Sequence, residues 1–224
     1  MGPHARPGAR HRQQGRRTLR GEHHLQRQAF QRFCFRRPLM ARIARLTELP
    51  LAECRRLISG YRTEQRYRVE KSESETETRI TLTLEDLPQP YVKLFDAEEE
   101  LESLYPDFVA QGLSFGAWED GQMVGIAICE RREWNNTLWL WELHVQNGLR
   151  GQGMGSQLIQ AVQQLAVEKQ FRTVALEAQN MNVPALNFYR KHGFRVEGVD
   201  LSLYSNSDLT DGEVALYLKW KVKA

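Results

Sequence analysis

The sequence is short of the residues that several kinds of protein require. It has 3 Cys in 224 residues, Cys34, Cys54 and Cys129. They are too few and too widely spaced for a disulfide framework or a zinc site, so they read as isolated thiols of a reducing compartment and no metal is expected. No apolar run approaches the ~20 residues that a membrane-spanning helix needs, so no membrane partner is expected. The first 39 residues hold no Lys and one acidic residue, Glu22, against ten Arg and four of the six His, a local net charge of +9. Their apolar residues follow no period, so they cannot bury a core and are expected to be disordered.

The overall charge of +3 therefore hides a split, because residues 40–224 carry 21 Lys plus Arg against 27 Asp plus Glu, a net −6. Three readings compete for the basic arm. Arginine clusters bind phosphate without sequence preference, which would make it a nucleic-acid arm. An Arg-rich, acid-poor start also suits a transit peptide, although Ser is scarce and no amphipathic face is evident. The third reading is an upstream extension: Met40-Ala41-Arg42-Ile43 looks like a natural start, and the composition changes abruptly there. That reading is favoured. It makes 1–39 an extension and 40–224 the folded domain, with no nucleic-acid partner expected. The apolar content of 41% and charged content of 26% are ordinary for a globular protein, and the length suits one well-buried domain.

What the sequence does contain is a strand, a glycine turn and a helix in succession. The apolar run Leu138 to Val145 feeds Gln146-Asn147-Gly148-Leu149-Arg150-Gly151-Gln152-Gly153-Met154-Gly155-Ser156, and a helical pattern follows. Glycines at alternate positions before a helix aim several backbone N–H groups and the helix dipole at one point, which suits a phosphate. Arg150 can add a charged, forked donor there. A P-loop would need a Lys after Gly153 or Gly155, and there is none. The dinucleotide fingerprint would need its third small residue at Ser156, a poor match, and would follow repeated strand–helix units rather than strands.

The remaining pattern, Arg150-x-x-Gly153-x-Gly155, resembles the pyrophosphate loop of the GCN5-related N-acetyltransferase family. Downstream, Asn182-x-x-Ala185-x-x-Phe188-Tyr189-x-x-x-Gly193-Phe194 is similar to that family's second signature helix. The resemblance covers roughly residues 80 to 222. Within the family, Gly198-Val199-Asp200, Leu203-Tyr204-Ser205-Asn206 and Leu176-Glu177-x-Gln179 are similar to the streptothricin acetyltransferase group. The resemblance implies an acyl-CoA N-acyltransferase fold and acetyl-CoA as co-substrate. It also implies a cytoplasmic enzyme that acetylates a primary amine of a small cationic substrate. A protein N-terminus or lysine as acceptor, a non-catalytic acetyl-CoA-binding module and a homodimer stay open.

The local patterns are compatible with that fold. A short strand and a helix ending at Gly60 are expected within 42–60, then strands over Gln65–Lys71 and Thr78–Leu84. Acid-rich Asp96 to Asp107 reads either as a solvated helix face or as a rim attracting a cationic substrate. Leu113–Trp118 and Met123–Glu130 flank Asp120-Gly121, a hairpin signal. Leu138–Gln146 and Thr173–Glu177 bracket a helix with Met154, Leu158, Val162, Leu165 and Ala166 on its apolar face. Asn182, Pro184 and Gly193 cap, start and end the next helix. Phe194–Tyr204 and Glu213–Trp220 complete the sheet. The expected class is α/β (α+β): a mixed, largely antiparallel central sheet flanked by helices.

Amine acetylation sets the candidate roles. An alkyl amine with a pKa of ~10.4 is neutral about once in 2,500 molecules at pH 7, so a general base helps. Glu142 is the candidate base, with Glu177 second, either as base or as binder of a cationic substrate alongside Tyr204. Family resemblance implies that the N–H of Val145, where the strand would bulge and splay, meets the developing oxyanion, and that the pantetheine arm runs along Leu143 and Val145 like an added strand. It implies Tyr189 as the acid that protonates the leaving thiolate. Arg150, Gly151, Gln152, Gly153, Met154, Gly155 and Ser156 would hold the pyrophosphate, with Asn182 as a further cofactor contact. His144 and His192 are weaker candidates, being histidines without an evident partner.

Overall fold

The computed structural model describes residues 41–95 and 98–223, so the expectation for residues 1–39 lies outside the described residues. Strand β1 (Arg42–Arg45) pairs antiparallel with β4 (Phe115–Glu119) at one edge of the main sheet. Between them come α1 (Leu51–Leu57), a ribbon of β2 (Gly60–Glu73) and β3 (Thr78–Leu94), and two short helices, α2 (Glu98–Ser103) and α3 (Tyr105–Ala110). Then follow β5 (Gln122–Arg132), β6 (Thr137–Val145), α4 (Met154–Glu168), β7 (Thr173–Gln179), α5 (Val183–Lys191), β8 (Arg195–Asp200), α6 (Asp208–Asp211) and β9 (Ala215–Lys221). The main sheet has 7 strands in the order β1-β4-β5-β6-β7-β9-β8, and only β6 and β7 run parallel. The expected mixed, largely antiparallel sheet is therefore present.

Several junctions follow the local chemistry. Asp120 (φ 50°) and Gly121 (φ 81°) both adopt positive φ, the demand of a two-residue turn whose twist matches its strands. Helix α4 buries Met154, Leu158, Ile159, Val162, Leu165 and Ala166, a stripe at helical spacing that closes one face of the sheet. Asn182 caps α5 by accepting from the Ala185 N–H at 3.2 Å, and Gly193 (φ 87°) turns the chain out of it.

Four expectations need correction. The helix expected to end at Gly60 stops at Leu57, and Gly60 is the first residue of β2. The two strands expected over 65–71 and 78–84 belong to the turn-side half of a longer ribbon, which forms its own two-stranded sheet and runs from Gly60 to Leu94. The last β8 residue is Asp200, not Tyr204. Asp200 Oδ1 accepts from Ser202 N–H, and Asp208 accepts from the N–H groups of Tyr204 and Ser205; these local bonds replace the ladder and bend the chain. The β6 bulge is at Trp141, since Glu142 pairs with Ile128 and Leu140 with Cys129. It does not fall at Val145. The splay from β7 starts earlier still, because pairing stops at Trp139↔Ala175.

Candidate active site

The splay creates the site. Gln146 N–H donates to Val124 O at 2.9 Å, and residues that exchange bonds alternate along an antiparallel ladder. Counting back, His144 and Glu142 direct their amides to β5, while Leu143 and Val145 turn theirs to the opposite edge, from which β7 has departed. An extended pantetheine chain can add to that edge as a strand would.

At the end of β6 the chain makes its glycine turn. Gly148 (φ 89°), Gly151 (φ 78°) and Gly153 (φ 92°) all occupy the left-handed region. A Cβ at Gly151 or Gly153 would meet no protein atom within 4 Å, so glycine is required there by conformation and the space in front stays open to a ligand. The first helical bond runs from Gln157 N–H to Gly153 O at 3.0 Å. The N–H groups of Met154, Gly155 and Ser156 thus precede the ladder and face the helix entrance, with the positive end of α4 behind them. This cradle fits a pyrophosphate.

Arg150 is braced across the entrance. Nε donates to Val145 O at 3.2 Å, Nη1 to Gly60 O at 3.2 Å and Nη2 to Ser59 Oγ at 3.1 Å. It pins the base of the ribbon to the turn while keeping its charge at the cavity wall. Gln152 folds back on Gly148 O at 2.9 Å, and the Met154 side chain is in the core. Neither residue is among those that line the cavity, and Met154 faces the helix entrance through its backbone N–H. Ser156 lines it and pairs through Oγ with His192 Nε2 at 3.0 Å.

Two cavities meet at the splay. One of about 460 Å³ runs along Val145, Arg150, Gly153 and Ser156; the other, of about 290 Å³, holds Glu100, Glu142 and Glu177. Phe95, Leu143, His144, Asn182, Ala185 and Tyr189 belong to both. An acyl group carried by the first cavity would meet an acceptor in the second at these six residues.

Glu142 is held at both oxygens. Tyr105 Oη donates to Oε1 at 2.6 Å, and His144 Nε2 lies 2.6 Å from Oε2. A carboxylate only accepts, so Nε2 carries the ring proton in this contact. Glu177 accepts from Tyr204 Oη. Burial pushes the Glu177 carboxyl up, the Tyr204 bond opposes this, and Glu142 and Glu213 push it further up. Tyr204 does not itself line the cavity and reaches the site through Glu177. Burial also raises the Tyr189 phenol well above its usual range, helped by Glu142 and Glu177, so it holds its proton at neutral pH.

The site therefore gathers Glu142, Leu143, Val145, Arg150, Gly153, Ser156, Glu177, Asn182 and Tyr189. Tyr105 and Phe95 were not expected there; His144 was a weaker candidate, and Glu100 belongs to the acid-rich 96–107 segment that was read either as a solvated face or as a rim for a cationic substrate. Glu142-x-His144 was a readable signal, because alternate strand residues share a face. Tyr105 and Phe95 come from the segment before β4 and carry no such mark. Among the described residues no group of His, Cys, Asp and Glu could hold a metal, and no helix is long and apolar enough to cross a membrane.

Known proteins share this architecture. A streptothricin acetyltransferase of Streptomyces lavendulae is 34% identical over 138 residues, 58% of this chain and 69% of that protein. The crystal structure of a nourseothricin acetyltransferase superposes with a TM-score of 0.63 at 26% identity, covering 82% of this chain and 99% of that one. A Bacillus anthracis protein described as a streptothricin acetyltransferase and solved with acetyl coenzyme A gives a TM-score of 0.62 at 26% identity, over 84% and 100% of the two chains. A profile of the Acetyltransferase (GNAT) family matches residues 79–194, which include the pyrophosphate turn, the splayed strand and the Tyr189 helix. The chain belongs to the GNAT family of acetyl-CoA-dependent N-acetyltransferases.

Proposed function

We propose that the chain acetylates a primary amine of a small cationic antibiotic of the streptothricin kind, in the cytoplasm. The observation that carries this reading is the acceptor cavity, where Glu100, Glu142 and Glu177 surround the junction with the cofactor cavity. Three carboxylates within about 290 Å³ favour a compact polycation over a neutral or acidic acceptor. The names of the relatives point to the same substrate class. Residues 40–224 carry the whole activity in this reading.

Acetyl-CoA supplies an activated acetyl thioester; Leu143, Val145, Arg150 and the α4 amides would hold it, together with the turn of Gly151–Gly153. Glu142 takes the proton from the incoming ammonium, directly or through water, and its two partners fix its orientation. The Val145 N–H faces the charge that develops on the acetyl oxygen, a donor that needs no reorganisation. Tyr189 gives its proton to the departing thiolate. Glu177, with Tyr204 on one oxygen, anchors a positive charge of the acceptor.

Thiol release by the full chain with acetyl-CoA tests this against nourseothricin, spermidine and a peptide with a free N-terminus. Nourseothricin should give the highest kcat/KM. A preference for the peptide would refute the antibiotic acceptor, and release with none of the three would refute catalysis on amines of these classes.

A further inference from the structure

Strand β2 is anchored on the domain: Tyr67 N–H donates to Asn180 O at 3.0 Å, Asn180 Nδ2 returns a bond to Tyr67 O at 2.8 Å, and the Arg190 guanidinium stacks on the Tyr67 ring. Strand β3 pairs with β2 alone among the described residues. Its outer edge is therefore a row of unpaired N–H and C=O groups, a template that proteins ordinarily blunt. One half is blunted: Pro88 and Pro90, which lack an N–H, lie where the pairing with β2 breaks between Asp86 and Tyr91. The half from Thr78 to Asp86 has no such device and keeps regular register with Gln65–Glu73.

That half is also apolar where it should not be. Ile80 and Leu84 are 40% and 44% exposed, although Leu82 between them packs on the core. Antiparallel pairing of the segment with a second copy of itself, on a dyad at Leu82, sets Arg79 opposite Glu85, Ile80 opposite Leu84 and Thr81 opposite Thr83, each pair occurring twice. Opposite charge, aliphatic contact and threonine pairing are the cross-strand combinations that stabilise a sheet. Within each ribbon Arg79 bonds Glu77 at 2.7 Å and Glu85 accepts from Arg66 and Arg68, and Arg79 keeps 64% of its side chain exposed, so an Arg79–Glu85 pair across the dyad would extend these ion pairs. The neighbouring two-fold registers, with the dyad at Thr81 or Thr83, leave Leu84 opposite Thr78 or Ile80 opposite Asp86, so the dyad at Leu82 is the one that pairs all three aliphatic residues with one another.

We propose that two copies of this chain dimerise by pairing the β3 edges over Arg79–Glu85, fusing the two ribbons into one four-stranded antiparallel sheet. The interface is isologous, as a two-fold dimer requires. It lies at the far part of the ribbon whose base, at Gly60, Tyr61 and Phe95, lines the cofactor cavity, so dimerisation would stiffen that wall.

Sedimentation velocity of the full chain gives the first test: a dimer at micromolar concentration is expected, and a monomer up to about 100 µM would overturn the proposal. The Ile80→Lys/Leu84→Lys variant sets lysines against lysines across the dyad and should sediment as a monomer with its thermal midpoint retained. A variant that remains dimeric would also overturn it. Register is read independently, with no disruptive substitution: in a Cys34→Ser background, Thr81→Cys and Thr83→Cys chains are oxidised directly to disulfides, which directly opposed cysteines can form and diagonal ones, about 7–8 Å apart, cannot. Mixed chains should cross-link several-fold more than either alone. Equal cross-linking in all three samples would refute the Leu82 dyad, whatever the lysine variant does.

Discussion

Replacing Tyr189 with Phe separates proton donation from packing. The ring lies against Phe188 and Phe194, with centroids 5.3 Å and 5.6 Å away, and phenylalanine reproduces both contacts. The residue is 8% exposed, yet its hydroxyl has no hydrogen-bond partner among the described residues, so its removal breaks no internal bond. The usual loss of about 1 kcal/mol for a deleted hydrogen bond therefore does not apply. A placed acid contributes roughly 10²–10⁴ in rate. Coenzyme A is already a fair leaving group, with a thiol pKa of about 8.5, so the low end applies and a fall in kcat of about 10 to 10² is expected. Stopped-flow thiol release should show that fall, with acetyl-CoA affinity and thermal midpoint nearly unchanged. An unaltered kcat would make Tyr189 a packing residue. A midpoint that falls with activity would make its hydroxyl structural, and either result removes the acid role.

The parts of the site that were legible in sequence are those built from neighbours in the chain. Gly151, Gly153 and Gly155 announce a phosphate turn because backbone conformation and open space are set within a few residues. Asn182, Pro184 and Gly193 bound α5 for the same reason. What escaped was built across long separations. The bonds that tie Tyr67 to Asn180 span 113 residues, and neither residue is unusual in its own segment. Phe95 and Tyr105 enter the acceptor cavity only because the ribbon and α3 return to the splayed edge of β6. Tyr204 was named from the resemblance alone, and its approach to Glu177 depends on Asp208 bending the chain after Asp200. His144 is the intermediate case, since its partner is two residues away and its burial among Phe95 and Glu142 is tertiary.

The cofactor cradle should respond to two different lesions. Arg150→Ala removes a charged donor worth about 1.5–3 kcal/mol and should raise the KM for acetyl-CoA at least about tenfold with the fold retained; Gly153→Val forces a β-branched residue to φ 92° and should cost about 1–3 kcal/mol of stability as well. Unchanged acetyl-CoA affinity in both would refute the phosphate turn. His144→Ala leaves Glu142 Oε2 without its partner and should lower kcat more than it changes acetyl-CoA affinity, and an unaffected kcat would show that the contact does not position the base. A chain starting at Met40 should unfold cooperatively and keep full activity; loss of either would show that residues 1–39 contribute to the domain. The last expectation concerns pH. Burial holds the Glu177 carboxyl above the ordinary range, so folding favours its protonated form. Its stabilising contribution is complete below the ordinary carboxylate pKa of about 4.3 and is lost as pH rises through the raised folded value. Glu177→Gln keeps an acceptor for Tyr204 and removes the buried charge. The variant should therefore melt higher than the parent near pH 7.5, with the gap closing towards pH 4, while the KM for a cationic acceptor rises. A lower melting temperature near pH 7.5 would show that the Tyr204 bond to the carboxylate outweighs its desolvation, and would reverse the sign of the argument.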